Sequence, residues 1–539
     1  MIKILKYGFI GIIALVVMMA AVVAVRAILD RQIDYDVDLA GTDIPTFTEL
    51  ELSKEQSHSD ATSLPFTGGA AIDIDDDGVD ELFIGGGHGQ MDVLYKFNGE
   101  GFDILPKAAG IEKTEGSSSL GALVLDVDRN GTQDLIVTRP SGIWLYTNEG
   151  GSFTGQRLEA PLLDDTTALS VAVADINADG HFDMYVSGYI RSDLVEGLNI
   201  FNKEGYGGTS ALLINRGDNS FEDQTAERGL AYKHNTFQAT FIDADLDDDL
   251  DLIVAHDTGQ VKTWENDGSG KFSEVPNPNS TDYAYPMGIA IGDYDNDGLV
   301  DFFFSNVGSS PPHFMVKGDL RDDQQHNWKW LLFRNQGGMS FEDVAADAKL
   351  ADYEFAWGAA FEDLNLDGRE DLLVSQNFVT APFHKVPFLR LPGRLLVQTP
   401  AGEFAEVGAQ AGVVNKRYSI APVTSDFNGD GRPDIVHVNI AGRSKVFLSN
   451  GDGTNGFLKV ALPRDITSIG AMVTITLEDG TELFKPYVSG EGLASDSSHI
   501  IIAGLGDQKA TKVALRYITG DTDERTGSFQ NETIVFADP

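Results

Sequence analysis

Short apolar runs flank seven copies of one acidic nonapeptide along this chain. Runs such as LGALVLD precede a copy, and runs such as DLIVTR, DLIVAH and DLLVSQ follow one. These runs are too short for helices and rich in β-branched side chains, which favours strands. The pattern therefore predicts pairs of strands, each pair joined by an acidic loop.

The acidic loops have the form D-x-[DN]-x-[DN]-G-x-x-[DE]. They start at Asp73, Asp126, Asp175, Asp243, Asp293, Asp363 and Asp426, and are called loops one to seven below. Position 6 is Gly in six loops and Asp248 in loop four, because a sharp turn there needs a left-handed backbone. The turn lets oxygens at positions 1, 3, 5 and 9, with the carbonyl at 7, converge on one point. Such a cage suits Ca²⁺, which takes about 6–8 oxygens, better than the stricter octahedron of Mg²⁺ or the nitrogen and sulfur ligands of zinc and copper.

We therefore expect up to seven Ca²⁺ sites, one in each loop. The expected side-chain ligands are Asp73, Asp75, Asp77 and Glu81; Asp126, Asp128, Asn130 and Asp134; Asp175, Asn177, Asp179 and Asp183; Asp243, Asp245, Asp247 and Asp251; Asp293, Asp295, Asp297 and Asp301; Asp363, Asn365, Asp367 and Asp371; and Asp426, Asn428, Asp430 and Asp434. An EF-hand would need a bidentate Glu at position 12 and flanking helices. Position 12 is Ile84, Val137, Val186, Val254, Phe304, Val374 and His437. Metal-free hairpin turns are the remaining alternative, which the mutual repulsion of clustered carboxylates disfavours.

Successive loops start 49 to 70 residues apart, and each repeat carries the same further signals. A third apolar run, often ending in Asn, follows each pair of strands (VLYKFN, IWLYTN, WLLFRN). A fourth run opens with Phe at 102, 153, 221, 272, 341 and 404. Four strands in a repeat of about fifty residues predict an all-β fold, a seven-bladed β-propeller. The seventh repeat has no Phe run of its own, so we expect residues 47–52 to supply its outermost strand and hide the open edges. The alternative donor is Phe457-Leu-Lys-Val.

These units resemble FG-GAP/VCBS repeats, as in the head of integrin α-subunits. The fourth runs with their tails resemble the cartilage acidic protein family more closely; they are FEDQTAERGL, FEDVAADAKL and FAEVGAQAGV. In that family a seven-bladed propeller precedes an ASPIC/UnbV domain. Residues 457–539, with IGAMVTITLEDGTEL and AGLGDQKATKVALRY, resemble that domain. The resemblance implies a propeller over 46–456 and a small β-rich C-terminal domain over 457–539.

The N-terminus predicts a membrane anchor. Residues 7–25 carry no charge, enough to span a bilayer, and Lys3 and Lys6 place residues 1–6 in the cytoplasm. We expect an uncleaved transmembrane helix over 7–26 and a linker over 27–45, with the rest exported to the periplasm or surface of a bacterial cell. Secretion after signal cleavage is the alternative. With no cysteine, disulfides cannot stabilise the exported part, whereas extracellular calcium can.

The charge narrows the choice of partners. The chain has 83 acidic and 39 basic residues and a net charge of −44. Repulsion from phosphates argues against binding nucleic acid, and an anionic surface favours divalent and cationic partners.

Long connections between the second and third strands of three repeats lie on the face opposite the acidic loops, because consecutive connections alternate between faces. They concentrate basic and aromatic side chains, the types enriched at binding hot spots. The candidate partner-binding residues are His313, Arg321, Trp328, Phe383, His384 and Phe388. Packing of these loops against each other or against the C-terminal domain is an equal alternative.

Three functions remain open. The first is a membrane-tethered, non-enzymatic, calcium-binding adhesion or scaffold module that presents the long-loop face to a protein or glycan. The second is an extracytoplasmic polysaccharide-active enzyme, lyase-like, which requires His313, His326 or His384 to meet Tyr or Arg in one cleft. The third is a subunit of an envelope complex. No nucleophile elbow, metalloprotease helix or phosphate loop is present in the sequence, so no catalytic residue is assigned.

Overall fold

The computed structural model describes residues 15–21, 35–57, 66–106, 110–111, 116–195, 205–308, 324–377, 390–451 and 453–536. Their regular secondary structure is almost entirely β-strand. Helical turns within them are confined to residues 15–21, Ser192–Leu194, Gly408–Ala411 and Ile466–Ser468. The expectation of an all-β fold is confirmed.

Strands from residue 47 to residue 449 form seven four-stranded antiparallel sheets. Strand β1 is Phe47–Gln56. The first sheet is Gly69–Ile72 (β2), Glu81–Ile84 (β3), Val93–Phe97 (β4) and Phe102–Ile104 (β5); the second is Gly121–Leu125 (β6), Asp134–Arg139 (β7), Gly142–Asn148 (β8) and Phe153–Arg157 (β9); the third is Thr166–Ala174 (β10), Asp183–Ile190 (β11), Ala211–Asn215 (β12) and Phe221–Asp223 (β13). The fourth is Thr236–Ile242 (β14), Asp251–His256 (β15), Lys262–Asn266 (β16) and Phe272–Val275 (β17); the fifth is Ile289–Gly292 (β18), Asp301–Phe304 (β19), Leu331–Asn335 (β20) and Phe341–Asp343 (β21); the sixth is Ala359–Glu362 (β22), Asp371–Val374 (β23), Arg394–Gln398 (β24) and Phe404–Glu406 (β25). The seventh is Ser419–Ser425 (β26), Asp434–Asn439 (β27), Gly442–Ser449 (β28) and β1.

The first strand of each sheet is its innermost strand. Strand β6 is buried along its whole length, whereas the outermost strand β9 buries only Phe153, which explains the continuous apolar runs before each acidic loop. First strands of neighbouring sheets contact each other, and β26 returns to contact β2. Between the fourth and fifth sheets, Ile242 and Ile289 share one core cluster. This arrangement is that of propeller blades.

The outermost strand of the seventh sheet comes from the N-terminal side of the ring. Strand β1 pairs antiparallel with β28, with Phe47 opposite Ser449 and Glu51 opposite Lys445. The predicted role of residues 47–52 is therefore confirmed. The alternative donor was wrong, because the strand that contains Phe457 pairs with two C-terminal strands instead.

The last seven strands, called the C-terminal sheets below, form two sheets of their own. They are Gly456–Ala461 (β29), Met472–Leu477 (β30), Glu482–Pro486 (β31), Ile500–Gly506 (β32), Ala510–Arg516 (β33), Thr522–Phe529 (β34) and Glu532–Val535 (β35). Their orders are β32-β29-β35 and β31-β30-β33-β34. Leu458 and Val473 share a core cluster with Leu250 and Phe182, which lie in acidic loops. The C-terminal sheets therefore pack on the face of the ring that carries those loops.

Residues 489–499, the axial segment, lie where the innermost strands meet. The Asp496 carbonyl accepts from the Ala71 amide at 3.0 Å, the Ala494 carbonyl from Ala122 at 3.1 Å, and the Gly492 carbonyl from Ile289 at 2.9 Å. These donors belong to the first, second and fifth sheets. Bonds to three separate sheets place the segment at the centre of the ring.

The predicted membrane anchor falls largely outside the described residues. Of 7–26, only 15–21 are described, and they are helical with exposed side chains. In the part of the chain that the structure covers, no helix is both long and apolar enough to cross a bilayer.

Candidate metal centres

Each acidic loop turns through two left-handed residues. At position 6, φ is +80° at Gly78 and +72° at Asp248, as the sequence predicted. Position 4 is also left-handed, at +57° in Asp76 and +64° in Leu246, and the same holds in every loop. This second position was not predicted, because only loop seven has glycine there. The two reversals fold the loop back on itself and turn its amides inward.

The position 1 carboxylate accepts the inward amides. In loop five, the Asp297 amide donates to one oxygen of Asp293 at 3.1 Å, and the Gly298 amide donates to the other at 2.8 Å. The same two bonds recur in all seven loops. This side chain is thus held in one orientation while each oxygen keeps a lone pair for another partner.

The position 9 carboxylate ties three chain segments together. Asp301 accepts from the Tyr294 amide at 3.0 Å and from the Asn335 amide at 2.8 Å, so it joins the loop to the end of the third strand. Loops two to seven share both bonds. The Asn335 amide group donates in turn to the Val300 carbonyl at 3.1 Å and to the Ala244 carbonyl in loop four at 2.6 Å. The Asn that ends many third strands therefore links neighbouring acidic loops.

Four loops bring three carboxylates close enough to share one ion. Ligand oxygens lie within 4.8 Å of one another in the sets Asp73, Asp75 and Glu81; Asp126, Asp128 and Asp134; Asp243, Asp245 and Asp247; and Asp293, Asp295 and Asp297. Loops three, six and seven have Asn at position 3, so fewer carboxylates meet there. In loop four, one buried oxygen each of Asp245 and Asp249 has no hydrogen-bond donor. Unpartnered buried anionic oxygens fit a cation, so the residues present suit a hard metal ion.

Burial makes these carboxylates hard to ionise without a cation. Desolvation, followed by repulsion from loop neighbours, raises the pKa of Asp134 to about 7, of Asp251 to about 8 and of Asp301 to about 9. Desolvation likewise raises the pKa of Asp434 to about 8. A bound divalent ion would reverse this penalty by supplying the opposite charge.

Basic side chains of the C-terminal part contact several loops directly. Arg464 approaches Asp73 at 2.8 Å, Lys459 approaches Asp426 at 2.8 Å, and Arg516 approaches Asp243 at 3.4 Å. Each of these aspartates occupies position 1 of its loop. The sequence missed these contacts, because nothing local links residues that are hundreds of positions apart.

The predicted partner-binding residues are only partly described. His313, Arg321, Phe383, His384 and Phe388 lie outside the described residues. Trp328 is partly buried against a core cluster of the ring. His326 is also partly buried, its ring 5.3 Å from that of Tyr285. Packing therefore accounts for Trp328 and His326, while the proposed histidine cleft stays a prediction.

A cavity of about 500 Å³ lies between the second and third sheets, on the face opposite the acidic loops. Its lining combines the apolar Leu162 and Leu163 with the guanidinium groups of Arg157 and Arg191. Arg191 pairs with Asp193 at 2.7 Å, whereas Arg157 is exposed. The cavity can therefore offer both an apolar wall and positive charge to a ligand.

Comparison with known proteins bears out the repeats. The family model for the FG-GAP-like repeat matches residues 126–186, 243–304 and 426–479. Cartilage acidic protein 1 of Mus musculus is 22% identical over 535 residues, which cover 89% of this chain and 75% of the relative. The Homo sapiens protein of that name is 22% identical over 532 residues, covering 88% and 72%. The chain thus contains FG-GAP-like repeats and is related along most of its length to cartilage acidic protein 1.

Solved structures give more distant matches. The Vibrio cholerae biofilm matrix protein Bap1 matches 84% of this chain and 99% of its own, with a TM-score of 0.41 and 13% identity. The BP39L lectin from Burkholderia pseudomallei matches 72% of this chain and 97% of its own, with a TM-score of 0.42 and 8% identity.

Proposed function

We propose that this protein is a calcium-binding, seven-bladed β-propeller that acts outside the cytoplasm as a binding or scaffold module. The main support is the geometry of the acidic loops. Two amides orient the position 1 carboxylate, and the carboxylates of positions 3, 5 or 9 lie close to it. Calcium is proposed over zinc and copper because these donors are all hard oxygens, and over Mg²⁺ because several protein oxygens per site suit the higher coordination number of Ca²⁺. The proposed division is a propeller over 46–456 and an ASPIC/UnbV-like β domain over 457–539.

Calcium would act on stability first. Each loop joins the two innermost strands of its sheet, and the position 9 carboxylate also holds the third strand. A divalent ion would cancel the repulsion within this cluster and so hold three strands together. Because the chain has no cysteine, metal sites would take the role that disulfides have in many exported proteins.

The test is a thermal unfolding series on the full chain in detergent with EGTA, Ca²⁺ or Mg²⁺. One site saturated at 100 times its Kd adds about 2.7 kcal/mol to the free energy of unfolding. We expect Ca²⁺ to raise Tm above the EGTA value and equimolar Mg²⁺ to raise it less. An identical Tm in all three solutions would overturn the calcium proposal.

The proposed partner is a protein or glycan on the face opposite the acidic loops. The cavity beside Arg157 supports this choice, since it combines apolar and cationic groups on a strongly acidic protein. We expect an Arg157→Ala variant to bind an acidic polysaccharide more weakly than the wild type. Arg216→Ala, which removes an exposed arginine beside the acidic loops, is the matched control. Equal binding by all three proteins would argue against this cavity.

Membrane tethering through residues 7–26 completes the proposal, with the amino terminus in the cytoplasm. The support is the uncharged run and the flanking lysines. Protease digestion of intact spheroplasts tests it, because an exported propeller is accessible and an internal one is protected. Release of the protein into the medium instead would favour signal cleavage and secretion.

A further inference from the structure

The side chain of Lys96 lies within the ligand set of loop one. Its ammonium nitrogen is 2.8 Å from Asp75, 3.3 Å from Asp77 and 2.6 Å from Glu81. These residues hold positions 3, 5 and 9, three of the four side-chain ligand positions in the motif. A cation that contacts all three lies where the ligands of a metal ion would converge.

The fourth ligand of loop one is also paired. Arg464 donates to Asp73 at 2.8 Å and approaches Asp76 at 3.1 Å. The Asp73 side chain is almost fully buried beneath this contact. Lys96 and Arg464 together bring two positive charges to the loop, the same charge that one Ca²⁺ ion would bring.

We propose that Lys96, assisted by Arg464, replaces the metal ion in loop one, so that this loop binds no calcium while other loops do. The inference rests on the proposed calcium function and limits it to at most six sites. A metal ion entering loop one would have to displace three ammonium contacts and would meet the positive charge of both side chains. Loop one keeps the motif and the fold of the others but takes its counter-charge from the chain itself.

The register of the sheets shows why loop one differs. Lys96 is the penultimate residue of β4 and precedes Phe97, which pairs with Phe102. In the second sheet, Thr147 precedes Asn148, which pairs with Phe153 in the same way. The equivalent residues of the later sheets are Ile214, Glu265, Arg334, Val397 and Leu448.

The one other cation at this register position is directed elsewhere. Arg334 pairs with Glu342 on the neighbouring strand at 2.6 Å. Arg334 is thus paired with Glu342 rather than with the loop five ligand set Asp293, Asp295 and Asp297. Thr147 is partly exposed and uncharged, so loop two likewise keeps its carboxylates for an ion.

The test is a reciprocal exchange between the first and second sheets, read out as calcium bound per full-length chain by equilibrium dialysis. Lys96→Thr should open loop one and add one ion, whereas Thr147→Lys should close loop two and remove one. The double variant should return to the wild-type number. Lys96→Arg, which keeps the charge, is the control and should add none.

The outcomes separate this inference from the proposal it rests on. A wild type that binds no calcium overturns the calcium function itself. A wild type that binds calcium, with no gain in Lys96→Thr and no loss in Thr147→Lys, overturns only the replacement by Lys96. If Lys96→Thr fails to fold in EGTA, Thr147→Lys decides alone, because an unchanged number there contradicts the inference.

Discussion

The buried carboxylate at position 9 has a structural role that can be measured in the absence of metal. Asp301 accepts two backbone amides, from Tyr294 and Asn335, in a site with no solvent exposure. An Asp301→Ala variant leaves both amides without an acceptor. Each unsatisfied buried donor costs roughly 1–3 kcal/mol, so the variant should lose about 2–6 kcal/mol of folding free energy. This loss needs no metal and should appear in EGTA.

Asp295 supplies the contrast within the same loop. Its side chain is an exposed member of the ligand set, and partial desolvation, followed by repulsion from Asp297, raises its pKa. Asp295→Asn should therefore leave stability in EGTA unchanged or slightly higher. In calcium it should lose most of the metal-induced gain of that site, about 2.7 kcal/mol when the ion is 100-fold above its Kd.

The assay is urea unfolding of the wild type and both variants, monitored by tryptophan fluorescence, in EGTA and in calcium. Unfolding of a multi-domain chain need not be two-state, so midpoints of the transition are compared rather than extrapolated free energies. An Asp301→Ala midpoint equal to that of the wild type in EGTA would refute the structural role of position 9. An Asp295→Asn midpoint that responds to calcium as the wild type does would refute metal binding at loop five.

Two further predictions concern pH and the axial segment. Burial raises the pKa of Asp251, Asp301 and Asp434 to about 8, 9 and 8. The metal-free folded state therefore keeps protons on these carboxylates, whereas the unfolded chain releases them near pH 4. The resulting stability is complete below that pH and is lost as pH rises through 8–9. Tm in EGTA should fall between pH 6 and 9, and calcium should reduce the fall; a Tm in EGTA that rises over this range would contradict the sign. Asp496 accepts from the Val124 and Gly490 amides at 2.7 and 2.9 Å. Asp496→Ala should therefore lower the free energy of unfolding by about 2–6 kcal/mol and speed proteolysis of the axial segment. Unchanged protease resistance would count against the anchoring role of Asp496.

Sequence alone could predict what is local and repeated. The acidic nonapeptide specifies its own turn, because position 1 binds amides only four and five residues away. The apolar runs on both sides of each nonapeptide are the two innermost strands of a sheet. Even the long-range pairing of β1 was predictable, since a repeat that lacked one strand pointed to an unused run with the same pattern.

Contacts between distant segments could not be predicted from these patterns. Arg464 and Asp73 are 391 positions apart, and their pairing depends on the C-terminal sheets docking on the loop face. The place of the glycine-containing run Ser489–Gly492 at the centre of the ring follows only from the assembled strands. Lys96 could have been found by aligning the third strands on their pairing with the fourth, because it is the only lysine at the position that Thr147, Ile214, Glu265, Arg334, Val397 and Leu448 hold in the other sheets.

Strand β1 is synthesised long before β28, the strand with which it pairs. Thr48 bonds to Asn450, so β1 waits for about 400 further residues before its partner exists. Until then, its amide and carbonyl groups are an open template for other chains. A product that stops before residue 442 therefore lacks the partner of β1 and is expected to aggregate rather than fold.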